Sequence, residues 1–313
     1  MLSAFLPSAC RTPLAGGSYL FLLLLLYSFL GWCGEMVYCS IGQRKLCEKR
    51  GFLNGPLCPI YGHGALVVLL LLRGGCASPV MTFLLGAVLT SAVEYVTSWA
   101  MEKLFHMRWW DYSHYKFHLN GRICLLNSTL FGLASVALCH WVNPVVSGWV
   151  LRLFTWGAAV PLALVLAAVY LADIVLSVRS AIQIGSRLEK LHAIHDELSE
   201  KLEQLKAEQQ RAIEAQRAKL EESMNAARHA AAERTAGATH AVHAKLEPLG
   251  ELSSEFAQRL EKVKAEAQQR AKALYEKQDF FERRLMRSYP TLRSSRYGEA
   301  LKKLREYWAD RKN

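Results

Sequence analysis

Long apolar stretches occupy the first 178 residues of the chain, and the pattern changes after them. A hydrocarbon core about 30 Å thick is crossed by about 20 apolar residues in helical conformation. Five stretches approach that length, covering residues 19–41, 56–73, 80–101, 122–141 and 157–178. The pattern therefore predicts an all-α integral membrane protein with about five transmembrane helices.

The second apolar stretch is interrupted near its beginning by glycine and proline. These residues are Gly55, Pro56, Pro59, Gly62 and Gly64. Because proline removes a helical hydrogen-bond donor and glycine weakens a helix, residues 56–73 either span the membrane or re-enter it. The sequence leaves both arrangements open. Residues 142–156 also contain proline and glycine, and we expect them to lie at an interface between the fourth and fifth helices.

From Ser186 onward the chain is rich in Ala, Glu, Lys, Gln, Arg and Leu. Its apolar positions alternate three- and four-residue steps, which is the seam of a coiled coil. The seam comprises Leu188, Leu191, His195, Leu198, Leu202, Leu205, Gln209 and Ala212. Pro248 and Gly250 interrupt this pattern, and Ser253 or Ser254 is then expected to cap a second helix that runs to about Met286.

The sequence thus predicts two domains, a membrane domain at residues 1–178 and a cytoplasmic helical tail at residues 179–313. The tail is expected to form a coiled coil or a helical hairpin. Pairing within one chain and pairing between two chains fit the seam equally well, so a homodimer formed through the coiled coil is one expected arrangement.

Charge is distributed unevenly between these parts. Residues 1–178 contain 11 of the 38 Lys and Arg residues and 6 of the 27 Asp and Glu residues. This composition excludes a single soluble globular domain and a secreted disulfide scaffold. The tail mixes 27 basic with 21 acidic residues, which is typical of a solvated helix surface. We therefore expect contact with the lipid bilayer and no nucleic-acid partner.

Basic residues concentrate in the loops after the first and third apolar stretches. Positively charged loops face the cytoplasm, so both loops are expected there. With five crossings, the amino terminus lies outside and the carboxyl-terminal tail lies in the cytoplasm. The predicted location is the cell membrane, as a multi-pass protein.

Polar side chains interrupt the apolar stretches at similar depths. Glu35, Glu94, Ser128 and Asp173 each lie five to seven residues from a predicted cytoplasmic helix end, which corresponds to about 8–10 Å. Ionisable groups in hydrocarbon are costly unless they have a partner, a water-filled cavity or a function. We expect these side chains to form one polar site that opens toward the cytoplasm.

The two basic loops supply further candidates for this site. The complete set of candidate substrate-binding residues is Glu35, Arg50, Asn54, Glu94, Trp110, Asp111, Asn120, Arg122 and Ser128. Arginine binds carboxylate or phosphate, and aromatic side chains can wall an amphipathic ligand. The set therefore favours a cleft for a polar or anionic solute or a lipid headgroup.

A structural role for the same residues is the alternative. Arg50 and Arg122 are natural counter-ions of Glu35 and Glu94, and such pairs could fix the helix register. An ion pair between Arg122 and Asp111 satisfies the charges equally well. Trp110 could be an interfacial anchor.

Common catalytic and metal-binding motifs do not emerge from the sequence. It contains neither the G-x-x-x-x-G-K-[ST] motif nor a C-x-x-C pair. His114 and His118 have a spacing that a metal could use in a helix, yet the residues between them give no supporting pattern. The sequence predicts no metal and no cofactor, and it identifies no catalytic residue.

Four longer motifs carry a family resemblance. They are FLGWCGEMVY, KRGFLNGPLCPIYGHGAL, EYVTSWAMEKLFHMRWWDYS and LNGRICLLNS. Together they resemble the ABC-transporter type IV permease family, or CmpB-like family, which has a vertebrate transmembrane branch. The resemblance covers residues 20–178, and residues 288–306 resemble the end of the bacterial members.

The resemblance implies a permease-like or transporter-like membrane protein whose ATPase, if it uses one, is a separate chain. Two other functions fit the residues. One is a membrane-embedded enzyme acting on a lipid or prenyl substrate, with Glu94 or Asp111 as general base. The other is a membrane scaffold that presents the helical tail. The sequence does not specify a substrate.

Overall fold

The computed structural model describes residues 7–43, 51–72, 78–231, 247–277 and 280–310. The chain forms two compact units. The first comprises Met1–Ser186 with Gln278–Leu301, and the second comprises Arg187–Lys277 with Lys302–Asn313. The compact units thus group a carboxyl-terminal segment with the apolar part of the chain, and the domain boundary at residue 178 stays a prediction.

Six helices in the described part of the chain carry the apolar sequence. They are α1 (Pro13–Gln43), α2 (Pro59–Leu71), α3 (Pro79–Phe105), α4 (Leu125–Ala137), α5 (Asn143–Thr155) and α6 (Ala159–Ala231). The ends of α3 illustrate why the helices begin and stop where they do. Ser78 caps its start, with Oγ accepting from the Met81 backbone N–H at 3.2 Å, and Pro79 occupies the first turn. His106 ends it in the left-handed conformation, with φ of 53°.

Four helical stretches among the described residues are long and apolar enough to cross a membrane. They are Pro13–Ile41, Pro79–Phe105, Leu125–Thr155 and Ala159–Ala226. The chain is therefore a multi-pass membrane protein. The predicted span at residues 56–73 is a helix of 13 residues, Pro59–Leu71, which is about 20 Å long and shorter than the hydrocarbon core. The number of about five spans is thus not confirmed.

The apolar sequence continues in helical form beyond residue 141, where the sequence pattern predicted an end. A π-helical turn at Leu138–Val142 joins α4 to α5. Pro144 lies two residues after this turn, and the wider π-turn lets the helix continue although proline supplies no N–H donor. The expectation that the fourth helix ends at residue 141 is therefore wrong.

The buried apolar core of the first unit lies between α1, α2, α5 and the start of α6. Its members include Tyr19, Leu23, Leu69 and Val150. Gly62 lets α2 approach α1 closely, because a Cβ atom at this position would collide with the Leu24 carbonyl oxygen and the Ser28 hydroxyl. Close backbone approach of this kind is a main source of helix association within membranes.

Helix α2 begins beside the middle of α1. The backbone N–H of Cys58 donates to the Ser28 carbonyl oxygen at 3.0 Å, and Gly31 lies against the Tyr61 side chain. Residues 51–58 are not helical. The chain therefore runs as irregular backbone alongside α1 before α2 starts.

Short strands complete the first unit. Strand β1 (Met107–Arg108) pairs antiparallel with β4 (Arg293–Ser294), and β2 (His118–Leu119) pairs antiparallel with β3 (Ile123–Cys124). Asn120 and Gly121 form the turn of the second pair, with φ values of 52° and 67°. Positive φ at both central residues matches the type I′ turn that closes hairpins, and Asn-Gly is its preferred sequence.

The carboxyl-terminal part of the chain contains three more described helices. These are α7 (Glu247–Glu276), α8 (Phe280–Ser288) and α9 (Gly298–Asp310). The prediction of one helix from Ser253 or Ser254 to about Met286 is wrong at both ends. Pro248 and Gly250 lie in the first turn of α7, where proline costs little, and α8 is a separate helix.

Within the second unit, the last part of α6 and α7 lie side by side in opposite directions. Arg270 forms an ion pair with Glu197 at 2.8 Å. Leu205 and Gln209 line one cavity with Phe256 and Leu260. The coiled coil and a homodimer formed through it stay predictions.

Candidate intramembrane polar site

Glu94 is a buried carboxyl group within the apolar helix α3. Its residue is 4% exposed. The Tyr112 hydroxyl donates to Glu94 Oε1 at 3.0 Å, whereas Oε2 has no hydrogen-bond partner among the described residues. One carboxyl oxygen is therefore bound, and the other lies buried without a donor.

A second carboxyl group, Glu35 of α1, lies nearby in a similar arrangement. The Tyr61 hydroxyl donates to Glu35 Oε2 at 2.5 Å, and the Cys39 thiol lies 3.6 Å from Oε1. Glu35 is within electrostatic range of Glu94. We call Glu35, Tyr61, Glu94 and Tyr112 the Glu–Tyr cluster, which joins α1, α2, α3 and the loop after α3.

Tyr112 acts as a neutral hydrogen-bond donor in this cluster. Burial raises the pKa of its hydroxyl, and the neighbouring carboxyl of Glu94 raises it further. The tyrosine therefore keeps its proton at neutral pH and can donate it to a hydrogen bond with Glu94.

Ser128 of α4 contacts Ser91, which lies about one helical turn from Glu94 on α3. The Ser91 hydroxyl donates to the Ser128 hydroxyl at 2.7 Å and links α3 to α4. Ser91 and Glu94 are three residues apart, so they lie on one face of α3. The buried hydroxyl of Ser98 follows on the same helix. The side of α3 that carries Glu94 is thus lined with small polar groups.

Asn54 is held by Asp173 of α6. The backbone N–H and the side-chain amide of Asn54 each donate to Asp173 Oδ1 at 2.8 Å, and the Gly55 N–H donates to Oδ2 at 2.7 Å. The Asn54 amide also donates to the Ser177 hydroxyl at 3.1 Å. These contacts provide hydrogen-bond acceptors for the N–H groups of a non-helical turn. The partners of Asn54 are therefore side chains of the protein itself, Asp173 and Ser177.

Arg284 of α8 binds the carbonyl groups of the same non-helical segment. Its Nη1 donates to the Leu53 oxygen at 2.6 Å and to the Gly51 oxygen at 3.4 Å, and its Nη2 donates to the Phe52 oxygen at 2.8 Å. Burial lowers the pKa of the guanidinium. Asp173 and Arg284 together satisfy backbone groups that a helix would have satisfied internally.

Asp111 is fixed on all sides by neighbouring groups. Its Oδ1 accepts from the Ser113 N–H at 3.0 Å and from the Ser113 hydroxyl at 2.5 Å, while Arg293 lies 2.7 Å from Oδ2. Burial alone would raise the pKa of Asp111, but the Ser113 hydrogen bonds, Arg293 and Arg108 outweigh it and hold the pKa below its ordinary value. A carboxylate so fully engaged is a poor general base.

Arg122 pairs with neither of the partners proposed from the sequence. Its Nη2 lies 2.7 Å from Oε2 of Glu102, and its guanidinium stacks over the Tyr95 ring at 5.6 Å. The predicted pairs of Arg122 with Glu94 and with Asp111 are therefore wrong. Glu102 lies two turns further along α3 than Glu94, nearer to the hairpin that carries Arg122.

Trp110 and Asn120 also connect the loop after α3 to its surroundings. Trp110 Nε1 donates to the Arg122 carbonyl oxygen at 3.1 Å, and the Asn120 amide donates to the Tyr95 hydroxyl at 3.0 Å. Both side chains thus bind parts of the protein itself. Arg50 lies outside the described residues, so its proposed pairing with Glu35 stays a prediction.

Sequence reasoning missed several partners that the fold supplies. Tyr61 is 26 residues from Glu35, Arg293 is 182 residues from Asp111, and Arg284 is more than 230 residues from Leu53. No local pattern marks such pairs. The available signals were an arginine-rich apolar segment before Ser288 and the family resemblance of residues 288–306.

The chemistry of the Glu–Tyr cluster is that of an acidic hydrogen-bonding site. It contains two carboxyl groups and two hydroxyl donors, and no basic group contacts Glu94 among the described residues. Within the same residues, His, Cys, Asp and Glu side chains form no group of three or more suited to a metal ion. The arrangement suits a proton, a hydrogen-bond donor or a cationic group.

A comparison with protein families identifies the apolar region. The family described as "Putative ABC-transporter type IV" matches residues 22–178, which is half of the chain and includes the whole Glu–Tyr cluster. No curated protein and no solved structure matches the chain. The chain therefore belongs to the ABC-transporter type IV family of transporter-like membrane proteins.

Proposed function

We propose that the chain is the permease component of a transporter and that the Glu–Tyr cluster belongs to its solute-binding site. The observation that carries this proposal is Glu94, a carboxyl group buried in an apolar membrane-spanning helix. One of its oxygens has no hydrogen-bond partner among the described residues. Ionisable groups inside membranes are costly and commonly serve transport. Membership of a transporter-like family supports the same conclusion.

The interrupted path between α1 and α2 gives further support. Many transporters bind solutes near broken helices, where irregular backbone is enclosed by protein. Residues 51–58 have this character, and α2 begins without a side-chain cap at its first turn, close to Tyr61. The positive end of a helix dipole favours a nearby carboxylate such as Glu35.

The cluster favours solutes that donate hydrogen bonds or carry positive charge. An anionic solute or a phosphate headgroup was suggested by the arginines, but Arg122 is occupied by Glu102. Carboxyl oxygens accept from amines and hydroxyls. We therefore expect a small polar solute with such groups.

We further propose that the amino terminus lies outside and the tail in the cytoplasm of the cell membrane. Arg284 contacts the loop before α2, and β4 pairs with β1 directly after α3. Both loops thus meet one carboxyl-terminal segment, which favours their lying on one side of the membrane with α2 and α3 crossing between them. A reporter that is active only in the cytoplasm, fused after Asn313, tests this topology, and a signal restricted to the outside would overturn it.

The transport function is tested by metabolite and lipid profiling of a strain that lacks the chain. Complementation with the wild-type protein should restore the profile, whereas Glu94→Gln should leave it altered although the protein reaches the membrane in normal amount. Glu299→Gln is the matched control, because Glu299 is exposed and lies outside the cluster. Full restoration by the combined Glu35→Gln and Glu94→Gln variant would contradict a role of the cluster in transport.

The proposed energy source is an ATPase on another chain. Purification of the full chain in a mild detergent should then recover an ATPase in stoichiometric amount. Recovery of the chain with no ATPase, from cells in which transport is active, would show that the permease works without one.

A further inference from the structure

We propose that Glu94 is a proton-binding site and that its proton exchanges when the permease works. The geometry that points to this is a carboxyl group 4% exposed, with Oε1 accepting from Tyr112 and Oε2 buried without a hydrogen-bond partner among the described residues. The use of that proton in transport rests on the proposed function, whereas proton binding itself does not.

The surroundings of Glu94 favour its neutral form. Helix α1 contributes Glu35 and α2 contributes Tyr61, while the loop after α3 contributes Tyr112. Cys124, at the start of α4, acts on Tyr112, and α4 itself presents the Ser128 hydroxyl. None of these groups carries a positive charge, and a nearby like charge disfavours a second carboxylate.

Two arginines in the loop after α3 are directed elsewhere. Arg122 binds Glu102 at 2.7 Å, and Arg108 lies 3.4 Å from the same carboxylate. Glu94 and Glu102 are therefore two carboxyl groups of one helix with opposite environments. Among the described residues, Glu102 is paired with two arginines, whereas Glu94 has a neutral donor and another carboxyl group as neighbours.

A proton fits this site better than a larger cation. The Oε2 atom has almost no accessible surface, so an organic ammonium group has no room beside it in this conformation. A sodium or potassium ion needs several oxygen ligands. Among the described residues, Tyr112 is hydrogen-bonded to Oε1 of this carboxyl group and Oε2 has no hydrogen-bonded neighbour. A proton needs one oxygen and no cavity.

Reaction with an apolar carbodiimide tests for that proton. The reagent takes the proton of a neutral carboxylic acid onto nitrogen, and the carboxyl oxygen adds to its central carbon. Where water is scarce, the adduct rearranges to a stable N-acylurea, which mass spectrometry locates. In the full-length protein in lipid, Glu94 should be modified and Glu102 should not.

The pH dependence and the effect of salts complete the test. Above the titration of Glu94, modification should fall about tenfold for each pH unit, because the neutral fraction falls by this factor. Sodium and potassium should give no protection relative to choline at equal ionic strength. Specific protection by a metal ion, or equal modification of Glu94 and Glu102, would overturn the proposal.

Infrared spectroscopy provides a measurement that does not depend on reagent access. The carbonyl stretch of a neutral carboxylic acid should be present at neutral pH, should disappear in alkaline solution, and should be lost in Glu94→Gln. Its absence from the wild-type protein at neutral pH would refute proton binding, even if carbodiimide reacted poorly. If Glu94 carries a proton but the Glu94→Gln strain has the same metabolite and lipid profile as the wild type, the proton site is real and its use in transport is refuted.

Discussion

Arg122 and Glu102 form the ion pair that joins the hairpin β2–β3 to α3, with Nη2 and Oε2 2.7 Å apart. Both side chains are largely shielded, with exposed fractions of 12% and 18%. The pair takes Arg122 away from Glu94 and leaves the Glu–Tyr cluster without this cation. One contact thus ties the loop after α3 to that helix and contributes to the acidic character of the candidate site.

A double-mutant cycle should detect coupling between Arg122 and Glu102. We expect the single variants Arg122→Met and Glu102→Gln to lower the free energy of unfolding, and their coupling energy to be about 1 kcal/mol. The measurement is unfolding in mixed detergent micelles. The corresponding cycle for Arg122 and Glu94 should give a coupling energy near zero, and a larger value there than for Glu102 would contradict the observed pairing.

Removal of the Asp173 carboxylate should destabilise the non-helical segment before α2. Asp173→Ala leaves the N–H groups of Asn54 and Gly55 without their acceptor, so the free energy of unfolding should fall by about 2 kcal/mol or more. Asp196→Ala is the control on the same helix, because Asp196 is exposed and should change stability by less than about 0.5 kcal/mol. Equal effects of the two variants would argue against the contact.

Arg284 should not be replaceable by lysine. One ammonium group cannot reproduce a planar fork that reaches three carbonyl oxygens. Arg284→Lys should lower the melting temperature and speed amide hydrogen exchange in residues 51–58. Arg283→Lys changes an exposed neighbour and should leave both measurements unchanged. Unaltered exchange in Arg284→Lys would exclude a role of this side chain in ordering the segment.

The Asp111 carboxylate should make stability sensitive to acid. Its pKa in the folded protein lies below the ordinary value, so the unfolded chain takes up its proton first as pH falls. The stabilising contribution is complete above the ordinary carboxyl titration near pH 4 and is lost as pH falls through the lowered folded pKa. Melting curves from about pH 6 to about pH 3 should therefore decline more steeply for the wild type than for Asp111→Asn.

The partner of Asp111 offers an independent check of that interpretation. Arg293→Met should reduce the acid sensitivity in the same direction, since it removes the guanidinium 2.7 Å from Oδ2. Identical acid dependence of the wild type, Asp111→Asn and Arg293→Met would mean that the carboxylate contributes nothing to stability above its titration.

The sequence by itself determined the membrane character of this protein and its family. Runs of apolar residues near 20 in length are long enough to identify spans without any knowledge of packing. Its motifs also identified the family. The depth of Glu35 and Glu94 in the membrane stays a prediction, because it was counted from predicted helix ends and α3 runs on to Phe105.

Helix ends and interruptions were harder to predict. The sequence pattern ended the fourth helix at residue 141, but a π-turn continues that helix. The pattern began the second helix of the tail at Ser253 or Ser254, whereas α7 already begins at Glu247. Pro248 was interpreted as an interruption of the tail. It is the second residue of α7 as described, and proline near the start of a helix costs little, because an N–H there has no helical acceptor.

Only the tertiary structure decided which charged groups meet. The sequence suggested Glu94 or Asp111 as the partner of Arg122, whereas the folded hairpin pairs it with Glu102. Asp111 finds Arg293, and Leu53 finds Arg284, across separations of about 180 and 230 residues. Local pattern cannot encode such pairs, because their distance depends on how the helices pack. The isolation of Glu94 from every basic side chain in the described part of the molecule is a result of that packing.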